Sequence, residues 1–188
     1  RSGLAEIIKH GAVLDGKLFE LLEDRAKDAA DPDADLLVRL VPWNVRVKAA
    51  VVRQDEREER GVRICLNFGH TIGHAVEKAA DGRLTHGEAV AVGMMAAARL
   101  SVDSGLCGAD VRERLEAVIA AAGLPTRAPG LDIDRVQGHM AHDKKFVTGR
   151  NRFVLLSGIG EWTAREDVPE DMIRAATREV LAPAGGPQ

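Results

Sequence analysis

The sequence predicts a mainly α-helical, bundle-like domain closed by one small β-hairpin. Three observations carry that expectation. Apolar residues recur at three- and four-residue spacing through most of the 188 residues. Alternation of the strand type is confined to residues 152–156 and 162–168, with Ser157, Gly158, Ile159 and Gly160 between them as a turn. The composition, 45% hydrophobic and 29% charged, is that of a globular chain long enough for one domain with a sizeable core.

Taken in order, residues 3–14 carry Leu4, Ile7, Ile8 and either Gly11 or Ala12 on one helical face, and Glu6 and Lys9, three apart, share a side in the manner of an ordinary surface ion pair. Asp15 and Gly16 interrupt the pattern, and Leu18, Phe19, Leu21 and Leu22 begin a second amphipathic helix. Asp31, Pro32 and Asp33 start a third, striped from Leu36 to Val52, in which Pro42 is expected to kink or split the helix. Lys48 lies on it as a snorkelling surface side chain. The charged run 53–60 reads as a solvated helix end and loop.

Arg63, Asn67, His70 and His74 follow at spacings of four, three and four, which either line one continuous helix or are divided by a turn at Gly69. His86, Gly87 and Glu88 open a central helix of small residues, and further helices are expected at 109–122, 134–142 and 170–181. Residues 1–181 form the helical domain, and 182–188 a flexible Gly/Pro tail.

Composition also excludes functions. With 26 basic and 29 acidic residues the net charge is −3, so no basic footprint points to nucleic acid. No apolar run reaches the length of a membrane span. Cys65 and Cys107 are too few for a disulfide framework, which suits a reducing, cytoplasmic setting, and Cys65 reads as a buried hydrophobe. Zinc-protease, dinucleotide-fold and P-loop signatures are absent.

The chemistry concentrates at His70 and His74, one turn apart on a single helix face, with His86 opening another helix. These three can hold a divalent metal if a carboxylate or thiolate completes the set, and they can equally be structural histidines. The residues alone leave both readings open.

A wider pattern accompanies them. GLAEIIKHG at 3–11, KAAVV at 48–52, DERE at 55–58, LNFGHTIGHA at 66–75, HGEAV at 86–90 and DKK at 143–145 resemble, in order, the blocks of the 3-dehydroquinate synthases. Sister sugar-phosphate cyclases and metal-dependent polyol dehydrogenases share the architecture and differ within these blocks. The resemblance implies the C-terminal half of such an enzyme, with the N-terminal NAD-binding domain outside this chain and the fragment inactive alone.

It further implies Glu6, His70 and His86 as ligands of Zn2+ or Co2+, and His74 as a proton-transfer residue working with Lys9 and Lys48. Arg63 and Asn67 would hold the substrate carboxylate and Lys144 or Lys145 its phosphate. The implied reaction converts 3-deoxy-D-arabino-heptulosonate 7-phosphate, a phosphorylated sugar acid, to 3-dehydroquinate and phosphate in the shikimate pathway, with NAD returned unchanged and a homodimer as the assembly. The chain is one residue longer than the family pattern between Lys48 and Arg63, so none of Glu56, Glu58 and Glu59 is assigned a role. His10, His139 and His142 are expected to be structural or solvent-facing. A non-catalytic metal-binding helical module is the alternative from another class.

Overall fold

The computed structural model describes residues 2–30, 34–57, 59–141 and 152–183. Within them lie eight α-helices, one 3-10 helix and one antiparallel hairpin, the mainly α-helical architecture with a single hairpin that the apolar spacing predicts.

Helix α1 (Ser2–Leu14) buries residues on nearly every side, including Leu4, Ala5, Ile8, Ala12 and Val13. It ends where Asp15 turns its carboxylate onto the next helix, accepting the N–H groups of Lys17 and Leu18 at 3.1 Å each. This satisfies two of the free donors of α2 (Gly16–Ala30). The other Asp15 oxygen accepts Trp43 Nε1–H at 2.7 Å and so pins α3 (Ala34–Gln54) to the same corner.

The expected break at Pro42 is not found. Helix α3 runs through it, and the departure from helical geometry falls instead in α2, at Arg25 (φ −124°, ψ 15°). The physical reason is position: Pro42 is exposed, and Val38, whose carbonyl it deprives of a partner, is 71% exposed, so the lost bond falls where the helix borders solvent. The long apolar stripe of α3 likewise divides, Leu36 and Leu40 packing inward while Leu37, Val38, Val41 and Val45 face outward.

A 3-10 helix (Arg63–Asn67) precedes α4 (His70–Ala79), and Gly69 between them has φ +75°, so the turn prevails over the continuous helix. Helix α5 (His86–Asp103) starts with a reciprocal cap: Glu88 N–H donates to Thr85 Oγ1, and Thr85 N–H donates to the Glu88 carboxylate at 2.8 Å. Its first ten residues after Glu88 are all buried.

Glycine permits the tightest crossing in the molecule. A Cβ on Gly93 would stand 2.0 Å from the Gly69 carbonyl oxygen and 2.6 Å from the Gly73 nitrogen, both backbone atoms that cannot swing aside. Helices α4 and α5 therefore meet backbone to backbone, and this contact sets where their histidines stand.

Helices α6 (Ala109–Ala121) and α7 (Ile133–Ala141) flank this pair. Strands β1 (Phe153–Gly158) and β2 (Glu161–Arg165) pair with an irregularity between Leu156 and Gly158. Buried Ser101 of α5 accepts the Leu156 N–H at 2.9 Å, and the hairpin tip donates Gly160 N–H to the Ala12 carbonyl at 2.8 Å, fastening the hairpin to α5 and α1. Helix α8 (Glu170–Leu181) closes the domain, its Glu179 held by Arg99 of α5 at 2.6 Å and by Arg112 of α6.

No helix among the described residues is long and apolar enough to cross a membrane.

Candidate metal and anion site

Three elements converge. Helix α1 contributes Glu6 and Lys9, α4 contributes His70 and His74 on one face, and α5 contributes His86 at its first position. One ring nitrogen from each of the three histidines lies within 4.8 Å of the others, and this is the single such metal-capable group among the described residues. The ring centroids stand 5.0 Å apart for His70 and His74, and 5.6 Å from each of these to His86. Glu6 Oε1 approaches His70 Nε2 to 3.7 Å, so the carboxylate that the family resemblance implies is beside one of the histidines.

Two hydrogen bonds orient the rings. His70 donates Nδ1–H to the Phe68 carbonyl at 3.2 Å, and His86 donates Nδ1–H to the Glu77 carboxylate at 2.9 Å. In each case the acceptor fixes the tautomer and leaves Nε2 with its lone pair, as metal-ligating histidines require. Glu77 was not singled out by the sequence reading. Its signal was its offset, three residues beyond His74 and seven beyond His70 on the same helix.

The charge pair on α1 differs from expectation. Lys9 is 1% exposed, and its Nζ donates to both Glu6 oxygens at 2.9 and 2.8 Å. It is no surface ion pair, because α1 is surrounded on nearly all sides and its polar face is turned into the site. Burial lowers the Lys9 ammonium from its ordinary range, and Glu6 only partly restores it. For Glu6 burial pushes upward, but the Lys9 charge and hydrogen bonds outweigh it and hold the carboxyl below its usual value, with His70 adding to the effect. Burial, reinforced by Lys9, brings His70 down to about 4, so its imidazole is neutral at physiological pH.

Lys48 is exposed on α3, and its charge is felt at Lys9 and His10. Arg63 and Asn67 are half-buried on the 3-10 helix, whose Cys65 is fully buried and pushed up to about 11 by burial, so the thiol is an unreactive apolar group. His10 is not solvent-facing: it is 1% exposed and its Nδ1 meets Asn44 Oδ1 at 2.6 Å, joining α1 to α3. His139 also turns a buried Nε2 inward. Lys144, Lys145, Glu58 and His142 lie outside the described residues.

The donor set suits a divalent metal: three imidazoles in mutual reach and a carboxylate 3.7 Å from one of them, with at least two imidazoles holding free Nε2 lone pairs.

Residues 3–146 match the family described as 3-dehydroquinate synthase C-terminal. A 3-dehydroquinate synthase of Citrifermentans bemidjiense is 47% identical over 162 residues, covering 86% of this chain and 44% of that protein. The chain thus spans just under half the length of this relative. Among solved structures, 2-epi-5-epi-valiolone synthase from Streptomyces hygroscopicus subsp. jinggangensis, with NAD+ and Zn2+ bound, superposes with a TM-score of 0.84 at 28% identity, over 95% of this chain and 50% of that one. A 2-deoxy-scyllo-inosose synthase complexed with carbaglucose-6-phosphate, NAD+ and Co2+ gives 0.82 at 27% identity, over 96% and 52%.

Proposed function

The chain belongs to the 3-dehydroquinate synthase C-terminal family, and from that premise we propose that it is the metal- and substrate-binding half of a 3-dehydroquinate synthase, acting in the cytoplasm on 3-deoxy-D-arabino-heptulosonate 7-phosphate. The observation that carries the reading is the convergence of Glu6, Lys9, His70, His74 and His86 from three helices onto one place. The higher identity to a 3-dehydroquinate synthase, against 27–28% for two other cyclases, favours this substrate over those of the sister enzymes.

Glu6, His70 and His86 would hold Zn2+ or Co2+. Such an ion acidifies and orients vicinal hydroxyl groups of the substrate. The chain's own residues do the rest. His74, one helical turn from His70, stands where it can take and return the proton of a hydroxyl beside the metal ligands. Lys9, desolvated and anchored on Glu6, places an ammonium against the substrate's hydroxyl oxygens, and Lys48 lies at the rim to meet an approaching anion. Arg63 offers a planar fork for the carboxylate, with Asn67 one turn on, and Lys144 or Lys145 would receive the phosphate.

The described residues contain neither a parallel sheet nor a glycine-rich turn able to cradle a dinucleotide, so NAD is assigned to the remaining half of the longer protein. The assembly is proposed as a homodimer.

Metal analysis and a phosphate-release assay test this reading together. The chain alone should bind one divalent ion and release no phosphate, and the full-length protein should do both. Turnover by the chain alone overturns the division of labour, and a full-length protein that binds metal without releasing phosphate from this substrate favours a sister cyclase or a metal-binding module.

A further inference from the structure

We propose that Asp55 is the positioning residue for the anion-recognising end of the site, acting through Arg63. The inference rests on the functional reading above and adds a residue to it.

Asp55 follows the last residue of α3 and is 3% exposed. Its carboxylate gathers three backbone donors from the segment ahead: Oδ1 accepts Arg60 N–H at 3.0 Å, and Oδ2 accepts Val62 N–H at 2.9 Å and Arg63 N–H at 3.2 Å. Two of these belong to the start of the 3-10 helix, where N–H groups have no partner within the helix itself. One side chain thus ties the backbone at 60–63 to the end of α3 and caps the helix that presents Arg63 and Asn67. The hydrogen bond from Arg60, with those from Arg63 and Val62, outweighs burial and holds the Asp55 carboxyl below its usual value, so it is an anion throughout the physiological range.

The place of this hub explains its importance. Asp55 lies one residue past α3, and its own N–H still donates to the Val51 carbonyl at 3.1 Å, which fixes it to the end of that helix. Binding the backbone at 60–63 to this end of the helix packs the 3-10 helix against α3. The same helix packs on α1, where its buried Cys65 lies within range of the Lys9 charge. Arg63 Nη1 also donates to the Glu56 carbonyl at 3.4 Å, so the backbone just past Asp55 buttresses the guanidinium directly. Neighbouring Arg60, which donates to the Gln54 carbonyl at 3.3 Å, ties the loop to the helix end but reaches no site residue. Without the carboxylate, three partly buried donors lose their acceptor and the segment carrying Arg63 is released from α3, while Glu6, His70 and His86 are untouched.

The test uses the full-length protein with 3-deoxy-D-arabino-heptulosonate 7-phosphate as the probe. Asp55→Ala should raise KM by about tenfold or more with unchanged metal content and a kcat within about threefold of wild type, the pattern of a lost binding interaction. Asp55→Asn keeps one carbonyl acceptor and should fall between the two; it decides the matter if the alanine variant fails to fold. In the Asp55→Ala, Arg63→Ala double variant KM should rise by clearly less than the product of the two single effects, because Asp55 acts mainly through Arg63. Additive effects, or an unchanged KM in either folded Asp55 variant, overturn the proposal. Amide exchange on the chain itself gives an answer independent of turnover: Arg60, Val62 and Arg63 N–H groups should lose protection in the variant, and retained protection overturns the role. If the full-length protein releases no phosphate, the functional reading fails and the exchange measurement still decides whether Asp55 holds the segment.

Discussion

Replacing Glu77 by alanine should weaken zinc binding without touching a ligand. The carboxylate accepts His86 Nδ1–H at 2.9 Å, and that bond sets both the tautomer and the aim of the ring. Losing such a partner lowers metal affinity by about ten- to a hundredfold, or about 1.4 to 2.7 kcal/mol. The pair is partly exposed, with side-chain exposures of 42% for His86 and 36% for Glu77, so water can replace part of what is lost. The expected loss is therefore at the lower end, about tenfold. Glu77→Gln keeps an oxygen acceptor and should lose less. The assay is a competition titration of Zn2+ against a chromogenic chelator at fixed pH, with His86→Ala as the reference for full loss. An affinity for Glu77→Ala equal to wild type, beside a clear loss in His86→Ala, would refute the orienting role.

Other perturbations test the frame and its electrostatics. Gly93→Ala places a methyl group 2.0 Å from the Gly69 carbonyl oxygen, and since only backbone could move, it should destabilise the domain by at least about 2 kcal/mol in urea unfolding; wild-type stability would contradict the backbone-to-backbone crossing. Acid should weaken the metal-free chain between pH 6.5 and about 4. In that window the unfolded state protonates His70 at its ordinary pKa of 6.5 while the folded state, with its pKa lowered to about 4, does not, so stability falls as pH falls. His70→Gln should flatten that part of the Tm-against-pH curve, and an unaltered slope would count against a buried neutral His70. Below pH 4 a further loss is expected as Asp55, whose carboxyl is held low by its backbone donors, is forced to protonate; Asp55→Asn should remove it.

Much of this arrangement was legible in the sequence, and the exceptions have physical causes. Helix α8 begins and ends where its apolar spacing and Pro169 indicate, and α5 was recognisable as central from small residues on all sides. The histidine offsets alone placed His70 and His74 on one face. The burial of Lys9 is not legible because an i, i+3 pair with Glu6 looks the same at a surface or in a core, and only the packing of other elements around α1 buries it. Pro42 broke nothing because a proline's cost depends on where the freed carbonyl points, which periodicity does not state. Glu77 and Asp55 escaped notice for a related reason: each acts on a partner in a different element, His86 in α5 and the backbone ahead of the 3-10 helix.

The identity of the side chains that hold the metal is the central claim. The geometry gathers His74 as closely as His70 and His86, while the proposed ligand set replaces it with Glu6. Zinc stoichiometry of purified single variants of the chain separates the two. One ion per chain in wild type and His74→Ala, with none retained in Glu6→Ala, His70→Ala or His86→Ala, is the predicted result. Loss of the ion in His74→Ala with retention in Glu6→Ala would contradict it.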